Sequence, residues 1–223
     1  MSTKRAAIFD VDGTLVDTNH LHVVTWWEAF RQGGHHVPMR AIHRSVGLGS
    51  DDLIEHLLGT DRDPEDDERL VAAHHALYAT YFDRLPALDA AGDLLRALAG
   101  RGWTIVLATS ASGPELSALR RAIDADDVIL GAASADDVAD GKPAPDPVQQ
   151  ARELADVPSE RAVFVGDTVW DMKAAVRDGV VPVAVLSGGI PGEDLETAGA
   201  HAVYGDPADL LGRLDTSVFA DME

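Results

Sequence analysis

The chain has no cysteine, only three lysines and few aromatic residues. The missing cysteine excludes disulfides, thiolate-bound metal and thiol nucleophiles. Lysine occurs only at Lys4, Lys142 and Lys173, so a lysine inside a polar motif stands out. Cations are outnumbered altogether: 18 Lys and Arg face 38 Asp and Glu, a formal net charge of −20. Such a field repels nucleic acid and anionic lipid, so neither is an expected partner. No apolar stretch approaches the ~20 residues of a membrane span. Met1 to Arg5 lead directly into an apolar run that Asp10 stops, so no signal peptide is expected and a cytoplasmic protein is. What is present is 46% hydrophobic residues in 223, enough to bury a core in one domain, or in one domain with a modest insertion.

Short apolar runs alternate with longer amphipathic stretches, the pattern of parallel strands covered by helices. Strands are expected at Ala6–Phe9, Trp103–Ala108, Val128–Leu130, Ala162–Val165 and Val181–Leu186, with a weaker one at His201–Tyr204. Pro182 cannot donate to a ladder, so it argues for the start or the edge of its strand. Helices are expected from Asp89 to Ala99, after an Asp146 N-cap with Pro147 at the first helical position, and from Thr168 to Asp178. About 90 residues separate the first two strands, whereas a crossover needs only a dozen or so. The stretch from Thr18 to Leu85 is therefore expected to be an insertion. Its amphipathic segments, His22–Arg31, Asp51–Leu58 and Glu65–Phe82, make it helical. The fold class is α/β, a parallel sheet with an inserted helical lid.

Four motifs carry candidate chemistry. Phe9-Asp10-Val11-Asp12-Gly13-Thr14 closes the first strand, at the sheet edge where ligands of open α/β folds bind. Asp10 and Asp12, two apart on extended chain, face the same way and repel unless a cation joins them. Taken alone, the segment also reads as a turn with solvated carboxylates. Val165-Gly166-Asp167-Thr168-Val169-Trp170-Asp171 closes the fourth strand. Its carboxylates join the first two in a hard-oxygen site suited to Mg²⁺. Asp171 has a second reading, as a carboxylate favoured by a helix N-terminus. Lys142, between Gly141 and Pro143, is either a fixed point charge for a phosphoryl group or a solvated loop lysine. Thr109 and Ser110 end the second strand ahead of a helix, where hydroxyls and backbone N–H groups bind phosphate oxygens or merely cap.

Together, in chain order and each at an expected strand end, these motifs resemble the haloacid dehalogenase superfamily. Within it the chain is similar to the phosphatase and β-phosphoglucomutase-like branch, whose helical cap follows the first motif. The resemblance spans essentially the whole chain and implies a Rossmann-like core, residues 1–17 and 86–223, with a cap at 18–85. It implies that Asp10 is the nucleophile, forming an aspartyl-phosphate, and that Asp12 is the general acid/base. It implies that Thr109 holds phosphate and that Lys142 orients and neutralises. Mg²⁺ would be bound by Asp167, the Asp10 side chain and the Asp12 main-chain carbonyl.

Family subgroups differ at a few positions. Dehalogenases of this family lack an Asp two beyond the nucleophile, so Asp12 argues against dehalogenation. Phosphonatase-type members use a cap lysine, and 18–85 contains none. His22 matches a cap-hinge histidine typical of the β-phosphoglucomutase group and is a candidate substrate-binding residue. Val46-Gly47-Leu48-Gly49-Ser50 lacks the arginine with which those mutases grip a distal phosphate. Hydrolysis of a small phosphorylated metabolite (sugar, polyol or glycolate phosphate) is therefore expected, with a mutase using Arg44 as the alternative. A receiver-like phospho-accepting switch is less favoured, because no long insertion follows its first strand. The other cap histidines show no His-x-x-x-His spacing and read as structural or solvent-facing. Trp26 and Trp27 read as cap core.

Overall fold

The computed structural model describes residues 4–134, 137 and 140–222. Residues 1–3, 135–136, 138–139 and 223 of the expected core therefore lie outside the described residues. Six parallel strands form one sheet: β1 Arg5–Phe9, β2 Trp103–Ala108, β3 Ile129–Ala133, β4 Ala162–Gly166, β5 Val181–Val185 and β6 Ala202–Tyr204. Their order is β3-β2-β1-β4-β5-β6, with Ala6 opposite both Thr104 and Ala162. Because β1 lies at the middle, every side chain from Ala6 to Phe9 is buried. Ala7, Phe9, Leu107 and Val165 face one apolar layer, while Ala6, Ile8, Val106 and Phe164 face the other. This period of two explains why strand sequences with both faces buried read as continuous apolar runs.

Helices α1 Asn19–Gln32, α2 Met39–Ser45, α3 Ser50–Leu58 and α4 Pro64–Ala79 lie between β1 and β2. Their apolar faces bury a separate cluster around Trp26, Phe30, Ile42, Leu53 and Leu70, with Trp27 packed beside it. The two chain crossings into this layer run side by side: Asp17 N–H donates to Pro86 O at 2.9 Å, and Leu88 N–H to Leu15 O at 2.9 Å. The remaining helices are α5 Ala91–Gly100, α6 Gly113–Ile123, α7 Asp146–Ala155, α8 Val169–Asp178, α9 Gly192–Thr197, α10 Pro207–Gly212 and α11 Val218–Asp221. Among the described residues, no helix is long and apolar enough to cross a membrane.

Two local expectations are corrected and one is resolved between its alternatives. Pro182 lies at the start of its strand, second in β5, and not on an edge, because β5 lies between β4 and β6. Its carbonyl accepts from His201 N–H at 2.8 Å, so its missing donor faces the same side, just before β6 begins at Ala202. The third strand runs on through Gly131-Ala132-Ala133, whose small side chains let α7 pack closely on it. Asp146 is the first residue of α7 and makes no cap bond; Pro145 occupies the cap position. Helix α2 escaped the sequence pattern because only Ile42 and Ser45 of its seven residues are buried.

Candidate active site

Parallel pairing brings the carboxyl ends of β1, β2 and β4 to one sheet edge. Asp10 follows β1 with its N–H on Val165 O at 2.9 Å, and Thr109 follows β2 with its N–H on Ala133 O at 3.0 Å. Asp167 follows β4 and is fully buried. Lys142, in the loop before α7, is 96% buried and its ammonium lies 2.5 Å from Asp10 Oδ1 and 2.8 Å from Asp171 Oδ1. Both neighbouring carboxylates hold Lys142 firmly protonated despite burial.

The Asp171 carboxylate has two engagements. Its Oδ2 accepts from the Thr168 N–H at 3.0 Å and hydroxyl at 2.6 Å, closing a capping box on α8. Its Oδ1 anchors Lys142. The helix-start reading of Asp171 and a place in the charged cluster therefore both hold geometrically.

Carboxylate oxygens of Asp10, Asp167 and Asp171 lie within 4.8 Å of one another. Burial pushes Asp10 up to about 7; Lys142 opposes this, while Asp171 and Asp12 add to it. Burial and the charges of Asp10 and Asp171 raise Asp167 well above the ordinary carboxylate range, against hydrogen bonds from Asn19 and Thr14. One ammonium does not balance three crowded carboxylates. Asn19 donates through Nδ2 to Asp167 Oδ2 at 2.7 Å, leaving its own buried Oδ1 without a partner. An all-oxygen set with surplus negative charge and an orphaned acceptor fits a hard divalent cation such as Mg²⁺. The backbone is shaped around this group. A Cβ on Gly188 would lie 1.7 Å from Asp167 Oδ2, and one on Gly13 (φ +75°) would lie 2.5 Å from it.

Asp12 points into a different cluster. Its Oδ1 accepts from Thr18 Oγ1 at 2.5 Å and contacts His22 Nε2 at 3.1 Å. Burial favours the neutral acid, but the His22 charge, its hydrogen bond and the Thr18 hydroxyl outweigh it and hold Asp12 below its usual range. Conversely, Asp12 overcomes burial to hold His22 above 6.5. Glu115 Oε1 stands 4.0 Å from His22 Nε2, and burial pushes its carboxyl up to about 7. Tyr78 stacks on His22 with ring centroids 4.1 Å apart. Against the expectation that they face the same way, Asp10 and Asp12, two residues apart just after β1, belong to two separate groups, because the chain turns at Val11, whose carbonyl accepts from the N–H groups of Thr14, Leu15 and Val16.

A cavity of about 770 Å³ lies between the sheet edge and the helices above it, walled by Thr109, Ser110 and Lys142 below and by Gly47, Ser50 and Phe82 above. Thr109 Oγ1 accepts from Ala111 N–H at 3.1 Å, which leaves its hydroxyl hydrogen free to donate. Ser110 is exposed to this cavity. Arg44 is more than half exposed and pairs with Asp194 Oδ2 at 2.5 Å, away from the cavity lining. Of the other histidines between β1 and β2, His74 is buried on Thr25 Oγ1 at 3.0 Å, and His43 Nε2 reaches Gly188 O at 2.8 Å.

The sequence reading missed Asn19, Glu115, Thr14 and Tyr78. Asn19 and Glu115 open helices, where polar residues are common, so nothing local marks them out. Thr14 stood inside the first motif, and its hydroxyl donates to Asp167 Oδ1 at 3.0 Å.

Known proteins bear on this arrangement. A family model for haloacid dehalogenase-like hydrolases matches residues 4–179. The phosphoglycolate phosphatase of Rhodospirillum rubrum is 30% identical over 219 residues, covering 92% of this chain and 89% of that protein. The CbbY protein of Cereibacter sphaeroides is 30% identical over 224 residues, covering 93% and 94%. A hydrolase from Pseudomonas syringae superposes with a TM-score of 0.90 at 34% identity, over 95% of this chain and 98% of that one. With the motifs at one sheet edge and a family match over most of its length, the chain belongs to the haloacid dehalogenase-like hydrolases.

Proposed function

We propose that the protein is a Mg²⁺-dependent phosphomonoesterase that acts on a small phosphorylated metabolite through an aspartyl-phosphate on Asp10. The observation that carries this reading is the pairing of buried Asp10 with Lys142 at the foot of a cavity, beside a separate acid/base group built on Asp12. Asp10, Asp167 and the Asp12 main-chain carbonyl would hold the metal. Bound there, Mg²⁺ supplies positive charge that keeps the nucleophile ionised and neutralises phosphoryl oxygens.

Each side chain then has a distinct task. Asp10 attacks phosphorus in line while Lys142 offsets the charge on the equatorial oxygens. The free hydrogen of the Thr109 hydroxyl and the Ser110 segment hold phosphate oxygens. Asp12 relays to the departing alkoxide the proton it shares with the raised His22, and the pair then regains a proton from the attacking water. Residues 18–85 act as the cap, excluding water and selecting the substrate over the core of 1–17 and 86–223. Phosphorylated metabolites do not cross membranes unaided, which suits a cytoplasmic enzyme.

Hydrolysis is favoured over a mutase because no arginine is among the cavity's described lining residues, and Arg44 is engaged with Asp194. The named phosphoglycolate phosphatase relative also supports a monoesterase. A screen of phosphorylated metabolites with Mg²⁺ tests the proposal, with inorganic phosphate as the readout. Release should stop on chelation, resume on adding Mg²⁺, and fall more than about 10³-fold in Asp10→Asn. Undiminished turnover in that variant would remove Asp10 as the nucleophile.

A further inference from the structure

Two ladders of rings face each other between α1 and α4. His22, Trp26 and Phe30 stand four residues apart on α1, and His74, Tyr78 and Phe82 stand four apart along α4 and just beyond it. At that spacing each set lies on one helix face. The two sets interleave: His74 stacks on Trp26 with ring planes 8° apart, and Tyr78 stacks on His22 with planes 27° apart. Trp26 stacks in turn on Phe30, and Phe82 meets Tyr78 edge-on at 5.7 Å. The ladder ends on the Asp12 carboxylate, through His22 Nε2.

Packing accounts for the rings but not for one oxygen. Tyr78 is fully buried, and its hydroxyl makes no aligned hydrogen bond among the described residues. A phenylalanine would fill the same space without desolvating an O–H group. The surroundings of that hydroxyl are polar, because Thr18, Asp12 and Glu115 all act on it. Burial and the two carboxylate charges hold it protonated, so it is a donor. Asp12 offers the acceptor. Thr18 Oγ1 and His22 Nε2 both engage its Oδ1, and among the described residues no aligned bond reaches Oδ2.

Resting on the phosphomonoesterase reading, we infer that Tyr78 is a positioning residue for Asp12. Its ring face holds the His22 imidazole in the plane that presents Nε2 to Oδ1. Its hydroxyl donates to Oδ2 when Asp12 turns toward a bound ester. With Oδ1 held by Thr18 and His22, a donor on the other oxygen fixes the rotation of the carboxylate about its Cβ–Cγ bond. Oδ2 has two lone-pair directions, so one takes Tyr78 while the other faces the ester oxygen. The direction of proton delivery is then set by α4, a helix distant in sequence from the strand end that carries Asp12.

The test is Tyr78→Phe, which keeps the ring and removes the oxygen. It is assayed with Mg²⁺ on p-nitrophenyl phosphate and on the alkyl phosphate that the unaltered chain hydrolyses fastest in the metabolite screen. On the alkyl ester kcat should fall roughly tenfold with KM unchanged, as for loss of one hydrogen bond to a charged group. On p-nitrophenyl phosphate, whose leaving group needs no proton, kcat should change by less than about twofold. The melting temperature should hold or rise, because the oxygen removed has no aligned partner in the folded chain. In an Asp12→Asn background the same substitution should cost nothing further on the alkyl ester, because the proton it aims is gone. No loss on the alkyl ester, equal losses on both esters, the same loss in the Asp12→Asn background or a variant that does not fold each overturns the inference. Each of these leaves the phosphomonoesterase reading intact. An unaltered chain that hydrolyses no alkyl phosphate overturns that reading and this inference with it.

Discussion

Asp10 and Asp12 end the same strand two residues apart, yet their surroundings push them in opposite directions. Burial raises Asp10 to about 7, and Lys142 offsets that only in part because Asp171 and Asp12 crowd the same space. Burial acts on Asp12 too, but His22 and Thr18 reverse it. The difference lies in who the neighbours are. Asp10 shares its cation with a second carboxylate, whereas Asp12 has an imidazole and a hydroxyl supplied by the first turns of the inserted segment. This is the reverse of what a nucleophile and a general acid need on their own, so Asp10 would rely on the positive charge of a bound metal to stay ionised, and Asp12 on the proton it shares with His22.

The largest break in this comparison comes from deleting the Asp12 side alone. Asp12→Asn should slow alkyl phosphates by about 10²–10⁴-fold while slowing p-nitrophenyl phosphate far less, since nitrophenolate leaves without a proton. Steady-state kinetics on both substrates decide it. Equal losses would mean that Asp12 is structural or serves the metal only.

Removing His22 should blur the distinction without abolishing it. A charge-assisted hydrogen bond contributes on the order of 1.5–3 kcal/mol, so His22→Ala should cost roughly ten- to a hundredfold on alkyl phosphates. Its pH profile supplies a second readout. With His22 raised above 6.5, the pair retains its proton to higher pH than a lone carboxylate does. The basic limb of kcat/KM should therefore move to lower pH in the variant. An unmoved limb would show that His22 does not share that proton.

The smallest effect sharpens the view of what stands behind His22. His74 stacks on Trp26 with centroids 4.1 Å apart, and burial pushes it down to about 2, with His22 and His75 adding to the push. The unfolded chain takes up a proton near 6.5 that the folded chain refuses, so this contribution to stability is full above that pH and lost below it. Going from pH 7 to 5 should therefore cost ~2 kcal/mol from this one group. In His74→Phe, urea unfolding should show a pH slope flatter by that amount. An unchanged slope would mean that His74 is protonated in the fold.

Much of this was legible from residue order. Alternating apolar runs fall into two buried faces only as a parallel sheet, so β1, β2 and β4 could be read with their terminal carboxylates and Thr109. The lysine shortage marked Lys142 for the same reason, by contrast with everything around it. Helix α2 and the interior place of Pro182 could not be read that way. The first buries too few residues to set a period, and the second depends on where β6 begins.

By itself the sequence determined which chemical groups stand at the strand ends, because strand periodicity and chain polarity decide where each motif emerges. It also determined that the long gap after β1 had to hold a helical layer. Only the tertiary structure decided that Asp12 meets His22 and Glu115 while Asp10 meets Lys142, and that Asn19 clasps Asp167. These pairings join residues as far as 148 positions apart, as Asn19 and Asp167 are. Electrostatics acts through space, with a strength set by separation and burial. Neither quantity exists until the sheet has closed its edge and the helices have covered it.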